Sequence, residues 1–192
     1  MPYKIKVSTD PACAVSQEFD PEINTDLKLA LTFGTSPGPN REFTEPLRSE
    51  DLAAIAAMPR TLLVGKRRRG GIPHIHGWYT GPWIVSERVC ELIEGLEPGV
   101  HEFVPIEVKS VDRKTRHGTY YVILLTQTLD AIVAENDDGI YVLKASAIRG
   151  RHLWRGVPPN ELKYFCSDEL RDQLQAERRD GWDFERCIVR DQ

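Results

Sequence analysis

Apolar residues recur along this chain with two periods, near two and near 3.6, and the alternation of the two predicts its elements. Tyr3, Ile5 and Val7 alternate with lysines, which predicts an opening edge strand. Leu27, Leu29 and Leu31 alternate again and predict a second strand. Ser49 reads as a helix N-cap, with Glu50 and Asp51 in the first turn, Leu52, Ile55 and Ala56 on one face, and Pro59 as the stop. Ser86 caps a second helix in which Val89, Leu92, Ile93 and Leu96 fall at i, i+3, i+4 and i+7. Gly95, Pro98 and Gly99 end it.

Beyond this helix the period returns to two. Val104, Ile106 and Val108 alternate as a half-buried strand, and Asp112 to Gly118 is a polar turn. Tyr120 to Leu125 is a continuous apolar run, the pattern of a strand lying inside a sheet. Asp137, Asp138 and Gly139 mark a hairpin between Ile132–Ala134 and Ile140–Leu143. Gly150 to Arg155 reads as a short strand broken by Pro158 and Pro159. Leu162 to Cys166 leads to Ser167, the cap of a third helix with Asp168 and Glu169 in its first turn and Leu170 and Leu174 on its buried side. Gly181 turns the chain into a closing strand from Trp182 to Val189.

Strands outnumber helices and hairpin signals dominate. The expected fold is therefore α+β: a mostly antiparallel sheet with about three helices packed on one face. There is no alternating βαβ series and no glycine-rich phosphate fingerprint, so a doubly wound nucleotide-binding fold is not expected and no cofactor is implied. Residues 1–80 read as an N-terminal lobe carrying a basic loop and residues 81–192 as an α+β core, the two forming one compact unit. Thr35 to Asn40 (TSPGPN) is a loop by composition, and Arg60 to Gly81 reads as a long connection.

Composition narrows the class. With 192 residues, 41% hydrophobic and 28% charged, the chain has the balance of an ordinary globular protein. A net charge of −4 and a pI near 5.8 disfavour a general nucleic-acid or anionic-membrane binder. Residues 1–10 lack the pattern of a secretory signal, and no apolar stretch approaches a membrane span. Cys13, Cys90, Cys166 and Cys187 are scattered and read as reduced thiols, which points to the cytoplasm.

Several side chains invite chemistry. His74 and His76 at i and i+2 would share one face of a strand and could reach one metal ion, but no third ligand stands at a suitable spacing. Cys166 with His152 suggests a thiol nucleophile, although Cys166 also occupies a strand position where small buried cysteines are common. Ser86 and Ser167 sit where caps belong. Lys66, Arg67, Arg68 and Arg69 form a cationic run that could touch phosphates or an acidic partner. Glu135, Asn136, Asp137 and Asp138 form an acidic hairpin tip that could face a basic one. Trp78, Tyr79 and Trp154 are candidate interface anchors, while Trp83 and Trp182 read as core. On residues alone three readings stand: a macromolecule-binding protein, a hydrolase using Cys166 or a His74/His76 metal, and a nucleic-acid binder acting through the Lys66–Arg69 loop.

The ordered set of motifs favours the first. Trp83 to Arg88 (WIVSER), Leu92 to Glu94 (LIE) and Pro98 to Pro105 (PGVHEFVP) open the set. Tyr120 to Val122, a hairpin from Asp130, Gly150 to Arg155 (GRHLWR), the Ser167–Leu170 helix start and Trp182 to Phe184 follow in order. Together these resemble the eleventh-numbered immunity-protein family of bacterial polymorphic toxin systems. The likeness covers roughly Gly81 to Arg186, and residues up to Thr80 match much less well. The resemblance implies a non-catalytic protein that binds and neutralises a cognate protein toxin made by the same cell. On that reading the shared motifs set the fold, and the contacts fall to the less typical loops, Arg60–Tyr79 and Glu135–Asp138.

Overall fold

The structure is a computed structural model that describes residues 1–7, 17–19, 22, 35–36, 45–46, 49–65, 75–76, 83–156, 163–177 and 182–191. Its described helices are α1 (Ser49–Ala56), α2 (Glu87–Leu96), α3 (Ala145–Ile148) and α4 (Asp168–Ala176). The strands form three main sheets and one small hairpin.

The largest sheet has six strands. In spatial order they are β2 (Gln17–Phe19), β5 (Thr61–Val64), β8 (Glu102–Ser110), β9 (Arg116–Leu124), β7 (Trp83–Ser86) and β6 (Ile75–His76). All pairs are antiparallel except β5 with β8. The apolar run at Tyr120–Leu124 is thus an interior strand, flanked on both sides as its pattern predicts. The second sheet runs β10 (Thr128–Leu129), β13 (Leu153–Gly156), β14 (Tyr164–Cys166), β1 (Tyr3–Val7) and β15 (Trp182–Arg186). The third runs β11 (Ile132–Glu135), β12 (Tyr141–Lys144) and β16 (Ile188–Arg190). β3 (Thr35–Ser36) and β4 (Glu45–Pro46) pair with each other.

Alternation along the strands sorts the side chains into three cores. Ile84, Ile106, Val108, Val122 and Leu124 leave one face of the six-stranded sheet and pack on Ile55 and Met58 of the α1 segment. Trp83, Val85, Ile123 and Leu125 leave the other face. They meet Val89 and Ile93 of α2, Leu170 and Leu174 of α4, and the inner face of the second sheet at Ile5, Leu153, Tyr164 and Cys166. That sheet's outer residues, Trp154 and Phe165, pack on Tyr141, Leu143 and Cys187 beside the three-stranded sheet. Ser86 and Ser167 cap α2 and α4, accepting from the Val89 and Leu170 amides at 3.4 and 3.1 Å.

The fold class is α+β, as expected, with differences in detail. Helices lie on both faces of the six-stranded sheet, because α1 packs opposite α2 and α4. On α1 the buried side is Ile55 followed by Met58, while Leu52 is 45% exposed. The fourth helix, α3, is a single turn and too short to register as a period. β1 is an interior strand, not an edge. The lysines that suggested an edge are held by the neighbouring strand, with Lys4 and Lys6 at 3.6 and 3.0 Å from Glu185 of β15. The closing strand divides at Cys187, whose amide donates to the Pro2 carbonyl, and its halves enter different sheets. The strand anticipated from Gly150 starts at Leu153, after a turn. Leu27–Leu31 lies outside the described residues.

One carboxylate joins these layers. Glu97, at the C-cap of α2, is 5% exposed. Its Oε1 accepts from the His152 amide at 2.8 Å and from Gln127 Nε2 at 3.1 Å. Its Oε2 accepts from the Leu153 amide at 2.9 Å and lies 3.2 Å from His101 Nε2. Burial pushes the Glu97 carboxyl up. The His101 hydrogen bond and charge, with the two backbone amides, outweigh that and hold it below the ordinary carboxylate range.

Two consequences are measurable. A folded-state pKa below the unfolded value means that Glu97 contributes stability in full above the ordinary glutamate range and loses it as pH falls through the lowered value. Glu97→Gln should therefore flatten the acid limb of a stability–pH profile measured by urea unfolding. Glu97→Ala, which strands buried donors, should cost about 3–5 kcal/mol. Gly156 tests the packing between the second and third sheets. A Cβ there would lie 2.7 Å from Ile132 Cδ1 and 2.8 Å from the edge of the buried Phe165 ring. Gly156→Ala should destabilise by about 1–3 kcal/mol through overpacking, read as a lower urea midpoint at unchanged slope.

Candidate functional site

A pocket of about 490 Å³ opens where α3, the turn after it, β16 and the start of α4 converge. Pro2, Ala145, Ile148, Trp154 and Val189 form apolar walls, and Arg149, Arg151 and His152 add polar groups. Ser167 and Asp168 lie at the α4 end.

The GRHLWR segment builds most of one side. Gly150 adopts φ +68°, a left-handed conformation that costs glycine little, and it ends α3. The Arg151 amide then donates to the Ile148 carbonyl at 3.1 Å, which leaves Arg149 and Arg151 exposed on either side of the glycine. The amides of the next two residues, His152 and Leu153, are taken by Glu97, so the buried carboxylate sets the direction in which the turn enters β13. From there the side chains alternate. Leu153 faces the inner core, while Trp154 faces outward and stacks on Phe165 with ring centroids 6.0 Å apart and planes 15° apart. Arg155 is 1% exposed and donates to Thr128 Oγ1 at 2.7 Å, and burial lowers its pKa.

The electrostatics of the pocket mouth run against the net charge of the chain. Arg149 and Arg151 line it, and Lys144 and Arg190 flank the wall residues Ala145 and Val189. Lys144 and Arg190 are register partners on β12 and β16. All four are exposed, and none forms an ion pair with another described residue. The nearby acids are engaged. Asp168 lies 2.8 Å from the Met1 ammonium, which chiefly holds its carboxyl below the ordinary range, and Glu169 lies 3.9 Å from His152 Nδ1. Ile188 and Val189 of β16 are 39% and 37% exposed beside the opening.

The anticipated contact residues fall in three places. Lys66, Arg67, Arg68, Arg69, His74, Trp78 and Tyr79 lie outside the described residues. The backbone of His76 pairs with Ile84 at the end of the six-stranded sheet. Glu135, Asp137 and Asp138 stand on the β11–β12 hairpin, where Asn136 Oδ1 accepts from the amides of Asp138 and Ile140 and sets the turn. Asp137 and Asp138 are exposed, while Glu135 lies 3.9 Å from Lys163. Trp154 is 1% exposed, so it serves as a wall between core and pocket. The tip and the pocket occupy opposite ends of β12, about 10 Å apart along the strand. Arg149 and Glu97 did not stand out in the sequence, and Arg151 entered only as part of the GRHLWR motif that starts at Gly150.

The anticipated nucleophiles sit in unfavourable surroundings. Cys166 is fully buried, and burial raises its thiol pKa, opposite to the direction that activates a thiolate. Burial likewise pushes Cys90 and Cys187 up to about 11. His152 Nδ1 lies 2.9 Å from Ser167 Oγ and faces Glu169 from the same ring nitrogen, so the imidazole does not bridge serine to carboxylate as a relay requires. Ser167 Oγ is itself the α4 cap.

No helix among the described residues is long and apolar enough to cross a membrane. No curated protein matches the chain. The sequence does match the Immunity protein family (Imm11) over residues 35–189, more than half of its length. That span includes the six-stranded sheet from β5 to β9, the Glu97 junction, α3 and the arginine-flanked turn. By this match the chain belongs to the Immunity protein family (Imm11).

Proposed function

We propose that this chain neutralises a cognate bacterial toxin in the cytoplasm by binding it and covering its working surface, without catalysis. The observation that carries this reading is the family match across residues 35–189. The deep burial of Cys166 and the use of Ser167 as a helix cap support a binding role, since both side chains are engaged by the fold. A rigid stack of sheets supports loops and edges that can meet a partner without reorganising, which lowers the entropic cost of association. The contact loops on this reading are Lys66–Arg69 with Trp78 and Tyr79, and the hairpin tip at Glu135, Asp137 and Asp138.

Co-expression with the toxic domain of a polymorphic-toxin gene found adjacent to its own tests the reading. Growth should be rescued, and a stoichiometric complex should elute together in gel filtration. Failure of both, or detoxification by sub-stoichiometric protein that Cys166→Ala or His76→Ala abolishes, would sink it. Because Asp137 and Asp138 are exposed, Asp137→Lys with Asp138→Lys should leave thermal stability within about 0.5 kcal/mol of wild type. The same pair should weaken toxin binding about tenfold or more at low salt, an effect that shrinks as salt rises. Calorimetric titration at two ionic strengths measures both.

A further inference from the structure

We infer that the pocket between α3, β16 and the turn at Gly150 is a docking site for an acidic segment of the toxin, which inserts one apolar side chain between Ile148, Trp154 and Val189 and sets carboxylates against Arg149 and Arg151. The inference rests on the neutralising role proposed above and names a contact surface distinct from the loops assigned there.

Three observations converge on it. The cavity is of a size to accept a large side chain, about 490 Å³, and its walls are mainly apolar. Val189, 37% exposed, carries the apolar lining out to the surface at β16. The mouth is cationic in a chain whose net charge is −4: exposed Arg149 and Arg151 line it, and neither is paired with another described residue. Like charges left unpaired around an apolar hollow are complementary to an apolar anchor set among acidic residues. Interfaces concentrate their binding energy in such buried anchors ringed by polar groups. The arrangement is also held in place. The carboxylate of Glu97 fixes the amides at His152 and Leu153, and Gly150 fixes the spacing of the two arginines, so the rim is organised before a partner arrives.

The test uses the full chain and the toxic domain encoded beside it, inactivated by mutation. Ala145→Trp fills the hollow, and Arg149→Glu with Arg151→Glu reverses the rim at exposed positions that leave the fold intact. Lys114→Glu, in the β8–β9 turn, is the control. Circular dichroism melts confirm folding. Ala145→Trp should weaken binding on the order of 30-fold or more. The arginine reversal should do so about tenfold or more at low salt, mainly by slowing association. Lys114→Glu should stay within about twofold of wild type. Wild-type affinity in both pocket variants overturns the pocket and leaves the neutralising role standing, above all if reversal at Asp137 and Asp138 alone weakens the complex. A wild-type chain that fails to bind the toxic domain overturns the role and the pocket with it.

Discussion

The fold turns on one buried carboxylate and the four donors around it. Glu97 ends α2, and α2 packs on the inner face of the six-stranded sheet. Its oxygens take the backbone amides that lead into β13, a strand of the next sheet. A single side chain thus ties a helix, a strand and the segment at Gln127 at one point. Such a charge, removed from water, is stable there only because hydrogen bonds replace its hydration. The junction also places the Gly150 turn, whose next two amides it holds.

The layers outside the junction depend on side chains used twice. Trp154 closes the core beneath the third sheet and forms a wall of the pocket. Glu185 pairs with two lysines of β1, which helps a charged, alternating strand to sit inside a sheet. Lys4 and Lys163 both lie over the Tyr141 ring, at 4.7 and 4.5 Å, so cations also cover an aromatic edge between sheets. Acidic groups around α4 and β1 are met by nearby cations, while Arg149 and Arg151 at the pocket form no ion pair with another described residue. Net charge alone gives no hint of that separation.

Elements whose signals are local were legible in the sequence. Ser86 and Ser167 announced their helices because a cap is a contact three residues long. Asp137 to Gly139 announced a hairpin, and the apolar run from Tyr120 announced an interior strand. What escaped depended on residues remote in the chain. Tyr3 to Val7 looked like an edge because nothing nearby shows that Glu185 will lie beside Lys4 and Lys6. The division at Cys187 follows from its amide bonding to Pro2, a partner at the other end of the sequence. The pocket was illegible for the same reason. Its lining comes from residues 1–2, 145, 148–152, 154, 167–168 and 189, and α3 is one turn long, below the reach of any periodic signal. Glu97 drew no notice, since three of its four donors lie 30, 55 and 56 residues away.

The position of β1 has a bearing on timing. Tyr3 is matched to Cys166 on one side and to Arg186 on the other, so β1 waits for β14 and β15, far later in the chain, before its sheet can close. Topologies with such distant pairings assemble slowly, since the loop must be ordered before the pairing rewards it. A nascent chain halted before β14 therefore lacks both neighbours of its first strand. The second sheet and the hollow built upon it come into being only after synthesis has passed α4 and reached β15.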